Sequence, residues 1–291
     1  MKTVNSISGG KTSGYMAINY PADVNIFACV CIDYPKAEPK DKAVLKYCLD
    51  KLNGNFIASA ESEKTLKVMM QLEQILGKEI IWVRGKSFDE VVDSAGCLPT
   101  WNRRFCTTEM KILPMFEYLY FRYGVVKTNI GFRYDEFERA YFIEKGKSPV
   151  RKTVGTMDYP MSCNNFGAKQ QNWDRDIIYQ QKEYPLIDNK IFHLEIMSFW
   201  KREHPNVGFP KDSNCQGCHH KPSELIKRNH ELEPDILEWF ALQEEKKQKY
   251  GKAKFYTWHD DGIMYRKVFD MNFTMEFDFD FTMCNSGGCT D

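Results

Sequence analysis

The first half of the chain alternates short apolar runs with amphipathic stretches. Residues 2–8 read as a strand broken by Gly9-Gly10, and residues 13–19 as a helix stopped by Pro21. Residues 24–32 form one continuous apolar run of strand length, the pattern of a strand buried on both faces. Residues 40–52 place Ala43, Val44, Tyr47, Cys48 and Leu52 at helical spacing, ahead of the stop signal Asn53-Gly54. The pattern then predicts a strand over 56–58, a helix over 61–76, a strand over 80–83 and a helix over 88–94. A helix over 109–123, with Pro114 in its first turns, and a strand over 125–132 follow. Strands regularly separated by helices predict an α/β fold with a doubly wound parallel sheet.

Beyond residue 139 the periodicity fades. Residues 144–180 are polar and irregular and read as a long insertion at an active site or partner surface. Residues 191–204 and 222–250 are helical, and the tail alternates Phe273, Phe277, Phe279 and Phe281 with acids. The expected organisation is a nucleotide-binding core over 1–140, an insertion over 141–185, and a helical region with a cysteine-rich tail over 186–291.

Composition narrows the function classes. The chain has 291 residues, 43% of them hydrophobic, enough for one large domain or one domain with a smaller cap. Forty basic and forty acidic residues cancel, which excludes a global basic field for nucleic acid but not a local groove. No stretch of 18 apolar residues predicts a membrane span, and the first residues lack a signal-peptide core, so the expected location is the cytoplasm. In that setting ten cysteines point to metal or redox chemistry rather than a disulfide framework. Cys29, Cys31 and Cys48 lie on apolar faces and read as core, whereas Cys97 and Cys163 carry no motif.

The loop Ser8-Gly9-Gly10-Lys11-Thr12-Ser13 follows a strand and opens a helix. Glycines let a backbone approach an anion, and free amides at a helix start bind phosphate. Gly-Lys-Thr invites a Walker A reading, but Asn5 stands where its first glycine must be. The dinucleotide fingerprint is also absent. The loop resembles the PP-loop, Ser-Gly-Gly-x-Asp-Ser, with Thr12 in the aspartate position.

Further motifs resemble those of the phosphoadenylylsulfate (PAPS) reductase-like family of PP-loop proteins. Asp33 ends the apolar run and is followed by Tyr34, Glu38 and Pro39. Residues 103–114 carry Arg103, Arg104, Cys106, Lys111 and Pro114, similar to the family's Cys-Lys-Pro segment. Gly131-Phe132-Arg133 with Glu136 and Arg139 resembles its Gly-Ile-Arg segment, Pro185-Leu186 with Trp200 its Pro-Leu…Trp segment, and Cys215-x-x-Cys218 its cysteine pair. In this order the motifs span residues 8–218. The Arg-Phe-Cys-Thr segment is most similar to the DNA-phosphorothioation and phage-encoded members.

The resemblance implies an adenine nucleotide alpha hydrolase-like sheet with a C-terminal cysteine-bearing helical extension. It implies an adenine nucleotide such as ATP, with Mg²⁺ as a candidate ion, at Ser8, Gly9, Gly10, Lys11, Thr12, Ser13 and Asp33. Arg103, Arg104, Arg133 and Arg139 would fork onto its phosphate or sulfate oxygens. Lys111, Arg133 and the tail thiol Cys289 are the candidate catalytic groups. Cys106, Cys215, Cys218, Cys284 and Cys289 are candidate ligands of a 4Fe–4S cluster. The alternative is a zinc site of Cys215, Cys218, Cys284 and Cys289. His219 and His220 are candidate ligands or supporting groups. The expected activity is sulfur transfer to a nucleotide or nucleic acid through an adenylylated intermediate, with a nucleic acid or sulfur-donor protein as partner. The alternatives are adenylylsulfate or phosphoadenylylsulfate reduction, against which the tail Ser286–Asp291 lacks the family's Glu and His, and non-catalytic nucleotide binding.

Overall fold

The computed structural model describes residues 1–100, 104–138, 140, 179–212, 215–250, 256–259 and 261–273. In chain order it begins with β1 (Thr3–Ser6), α1 (Lys11–Asn19), β2 (Val24–Ala28), β3 (Cys31–Ile32), α2 (Lys42–Lys51), β4 (Ala58–Ser59), α3 (Glu63–Leu76), β5 (Ile80–Val83) and α4 (Phe88–Ala95). A continuous helical stretch follows: α5 (Phe105–Thr107), a π turn (Thr108–Ile112) and α6 (Leu113–Tyr123). Then come β6 (Val126–Asn129), β7 (Gln180–Glu183), α7 (Pro185–Asp188), α8 (His193–Glu203), α9 (Ser223–Leu232), α10 (Pro234–Tyr250) and α11 (Tyr265–Asp270).

Five strands form one all-parallel sheet in the order β5-β2-β1-β6-β7, with Val4 of β1 opposite Val24 on one side and Thr128 on the other. The pleat divides its residues between two helical layers. Val24, Ile26 and Ala28 pack with Leu113, Phe116 and Leu119 of α6, while Phe27 faces the layer of α1, α2, α3 and α8. Both faces of β2 and β5 are therefore covered, in keeping with their mainly apolar sequences, whereas β1, β6 and β7 carry polar residues such as Asn5, Lys127 and Gln181. Successive strands spread outward from β1 in one direction, to β2 and β5, and then in the other, to β6 and β7. The carboxyl ends of β1 and β6 thus flank the switch point where open α/β sheets bind ligands. Among the described residues no helix is long and apolar enough to cross a membrane.

Five details differ from the sequence pattern. The run 24–32 is not one strand. β2 ends at Ala28, and Cys31–Ile32 pair antiparallel with β4 in a separate ribbon. An apolar run fits either sheet, so composition does not mark the break. The expected strand over 56–58 lies in that ribbon, outside the central sheet. The helix expected over 222–250 is two, because Pro234 disfavours helical geometry at Glu233, whose φ is −138°. Pro114 does not delay its helix to residue 109. The helix starts at Phe105 and widens into the π turn just ahead of the proline, which lacks an N–H and crowds the carbonyl of Met110. Finally, β7 lies inside the segment expected as an insertion and adds the edge strand beside β6.

A second apolar cluster joins the β3–β4 ribbon and α4 to α10, Trp258 and α11. The buried Glu244 carboxylate pins this region by accepting the amides of Trp258 (2.9 Å) and Tyr265 (2.7 Å).

Candidate functional site

The Ser8–Ser13 loop leaves the carboxyl end of β1 at the switch point. Gly9 has φ +74°, and a Cβ there would lie 2.6 Å from Thr65 Cγ2, so the loop is seated directly on α3. The α1 helix starts at Gly10 in extended geometry, with no side chain capping it among the described residues. Its first-turn amides and positive dipole end point into the crevice. The Ser13 hydroxyl is used inside the loop: it accepts the Ser8 amide (3.1 Å), donates to the Gly10 carbonyl (3.1 Å) and lies 3.2 Å from the Ser8 hydroxyl. These two serines brace the loop from within, and the Lys11 carbonyl accepts the Trp200 indole N–H at 2.8 Å.

The facing wall is the turn after β6. A side chain at Gly131 would touch Ser13, which shows how closely the two loops approach. Arg133 reaches across, its Nη1 3.4 Å from Thr12 Oγ1, while its Nε and Nη1 pair with Asp135 (3.1 Å) and Glu136 (3.2 Å). Asp33 sits at the start of α4, where its carboxylate accepts the Ser87 hydroxyl (2.5 Å) and its amide donates to Asp89 (2.8 Å). Arg103 and Arg139 lie outside the described residues.

A second constellation lies where the π turn meets the 215–220 loop. Arg104, Cys106, Lys111, Cys215, Cys218, His219 and His220 line one small cavity of about 30 Å³, the space of a single water or ion. Glu61 forms a backbone bridge with Cys215, and the Gln216 amide donates to the Ala60 carbonyl (2.7 Å), fixing the cysteine loop on the β3–β4 ribbon. The tight turn between the two cysteines is closed by Cys218 N–H donating to the Cys215 carbonyl at 3.2 Å. From the other side, buried Asp212 pairs with Lys221 and with Arg228 (3.2 Å) and accepts Asn229 (2.9 Å), which also donates to the Gln216 carbonyl (3.0 Å).

Electrostatics in this region follow from burial. The Glu61 carboxyl, 1% exposed, is raised by desolvation and pulled back by Lys111, whose Nζ lies 3.6 Å from Oε1. Burial pushes His219 down to about 3, keeping a neutral imidazole on the cavity wall. Three thiols and two imidazoles are a donor set suited to a soft metal centre. Among the described residues no three such side chains converge closely enough to hold an ion, and the expected remaining ligands Cys284 and Cys289 lie outside them, as do Cys163 and the tail phenylalanines 277, 279 and 281. Cys29, Cys31, Cys48 and Cys97 are buried.

Sequence reasoning assigned no role to Glu61 or to the Asp212 network. Glu61 stands at the edge of an amphipathic helix pattern, where an acid ordinarily faces water, and only the β3–β4 pairing brings it under Lys111. No protein-family model, curated protein or solved structure matches this chain.

Proposed function

We propose that the chain binds an adenine nucleotide between the Ser8–Ser13 loop and the Gly131–Arg133 turn, and that it is an enzyme of sulfur chemistry. The observation that carries this reading is Arg133 meeting Thr12 across the switch point, which sets a guanidinium beside the amino end of α1. Both features attract phosphate, one by paired hydrogen bonds and the other by aligned peptide dipoles. Lys111 and Arg104 add positive charge near the thiols. Cys106, Cys215 and Cys218, with Cys284 or Cys289, would hold a 4Fe–4S cluster, which supplies electron transfer or a sulfur-binding iron; zinc on four of these thiols would be structural. In sulfur transfer, an acceptor oxygen on a nucleotide or nucleic acid takes the adenylyl group of ATP and releases pyrophosphate. A donor protein's thiocarboxylate sulfur then displaces AMP, and hydrolysis of the bond between that sulfur and the donor's acyl carbon frees the thiolated acceptor.

Thr12 favours a second reading. A hydroxyl next to a guanidinium replaces the carboxylate of the resembled loop, a setting for an anion rather than for a magnesium ion. Adenylylsulfate or phosphoadenylylsulfate would then be the substrate, and attack by a tail thiol such as Cys289 on its sulfur would release AMP or adenosine bisphosphate. Titration calorimetry with ATP, adenylylsulfate and phosphoadenylylsulfate, with mass spectrometry of products, separates the readings. Pyrophosphate from ATP supports transfer, and an S-sulfonated cysteine that releases sulfite when an added dithiol reduces it supports sulfonucleotide reduction. Binding without product leaves a nucleotide-binding protein, and no binding of any of the three overturns the proposal.

A further inference from the structure

We infer that Trp200 is a positioning residue for the Ser8–Ser13 loop, and that α8 acts as a strut holding the two walls of the crevice at a fixed separation. The inference deepens the nucleotide-site reading, but its geometric part stands on the helix alone. Three contacts carry it. First, the Trp200 indole N–H donates to the Lys11 carbonyl at 2.8 Å, at the point where the loop becomes α1. Second, the indole lies flat against Gly14, where a Cβ would come within 2.9 Å of its Cζ2, so no larger residue permits this approach. Third, the amino end of the same helix is tied to the opposite wall. The His193 amide donates to Asp135 Oδ1 at 3.3 Å, and Asp135 pairs with Arg133, which reaches Thr12.

The contacts close a ring: Lys11 to Trp200, along α8 to His193, through Asp135 and Arg133, and back to Thr12. A helix is stiff along its axis, so motion of one wall is resisted by the other. Trp200 is itself 5% exposed and lies edge-on to Phe209 (ring centroids 4.6 Å) and Phe199 (5.3 Å), while its tie to the loop is the indole N–H. A rigid cradle binds its anion without spending binding energy on ordering the loop, the general advantage of a preorganised site.

The test uses Trp200→Phe, which keeps an aromatic ring and deletes the donor, beside Phe209→Leu, which loosens the packing of Trp200 and leaves its hydrogen bond intact. Amide hydrogen exchange over residues 8–14 of the full chain reads the loop directly, and calorimetry with ATP and adenylylsulfate reads affinity. The expected result is faster exchange in the loop for Trp200→Phe, with about 3- to 10-fold weaker nucleotide binding at near-parental melting temperature. Phe209→Leu should lose thermal stability but keep parental loop exchange and affinity. Should Trp200→Phe fail to fold, replacing Trp200 by 3-benzothienylalanine, which has the same outline without the N–H, gives the same reading. Unchanged exchange in the donor-deleted protein overturns the inference, as does an equal change in Phe209→Leu. If the parent binds neither nucleotide yet the exchange result holds, the strut stands and the nucleotide reading falls.

Discussion

The Arg133 guanidinium lies 3.4 Å from the Thr12 hydroxyl and joins two loops that are 121 residues apart in sequence. Its remaining side-chain contacts go to Asp135 and Glu136, which hold the fork in place. Arg133→Met should weaken binding of ATP or adenylylsulfate about 10- to 100-fold, the value of charge-assisted hydrogen bonds. Arg133→Lys should recover only part of it, because an ammonium keeps the charge and loses the fork. Calorimetry checks both, and parental affinity in Arg133→Met would remove Arg133 from the site.

Gly9 and Gly10 should separate stability from binding. Gly9→Ala forces a Cβ into Thr65 at a positive φ and should lower both the melting temperature and nucleotide affinity. Gly10 has ordinary extended geometry, φ −93° and ψ 163°, which any residue adopts. Gly10→Asp should therefore fold normally and lose nucleotide binding, because its carboxylate repels the phosphates. Equal affinity in Gly10→Asp and parent would place the nucleotide elsewhere.

The cysteine cavity predicts a metal-dependent colour. Protein purified without oxygen should be brown, with about four iron atoms per chain if four thiolates hold a cluster. Cys106→Ser and Cys218→Ser should each lose both iron and thermal stability, because site assembly is coupled to folding. Colourless protein with one zinc, unaffected by Cys106→Ser, would instead support the site formed by Cys215, Cys218, Cys284 and Cys289.

Glu61 and Lys111 should behave as a coupled pair. Lys111→Met leaves a fully buried carboxyl without its ammonium and should cost about 3 kcal/mol. Glu61→Gln combined with Lys111→Met removes both charges and should recover at least about 1 kcal/mol of that loss. Chemical denaturation of the two single variants and the double variant measures the coupling. Strict additivity would show that the pair contributes nothing.

Glu117 should make stability fall as pH rises. It is fully buried in α6, neither oxygen has a hydrogen-bond partner among the described residues, and burial, with the nearby Glu109 charge, pushes it up to about 8 from 4.5. The folded protein keeps this proton while the unfolded chain releases it, so stability is lost between about pH 4.5 and 8. Glu117→Met should raise the melting temperature by about 5 °C or more at pH 8 and by much less at pH 5. An equal shift at both pH values would show that the side chain is not titrating in the folded state.

The parallel α/β class is legible from the alternation of short strands with amphipathic helices, since each parallel crossover needs a helix that packs one apolar stripe back on the sheet. The glycine loop and the cysteine pair stand out by residue type at short spacing, and Arg133 stands out through the family resemblance. Which strands are neighbours follows from long-range packing. The order that sets β1 beside β6 creates the crevice and brings Arg133 to Thr12, and no local pattern encodes it. The same holds for Glu61 and Trp200. An acid at a helix start and a tryptophan on a helix face read as surface and core, and they gain their roles from partners 50 and more residues away: Lys111 for one, and the Lys11 carbonyl, 189 residues distant, for the other. Pairing at such separations is set by the packing of whole layers, a property of the assembled sheet rather than of any segment within it.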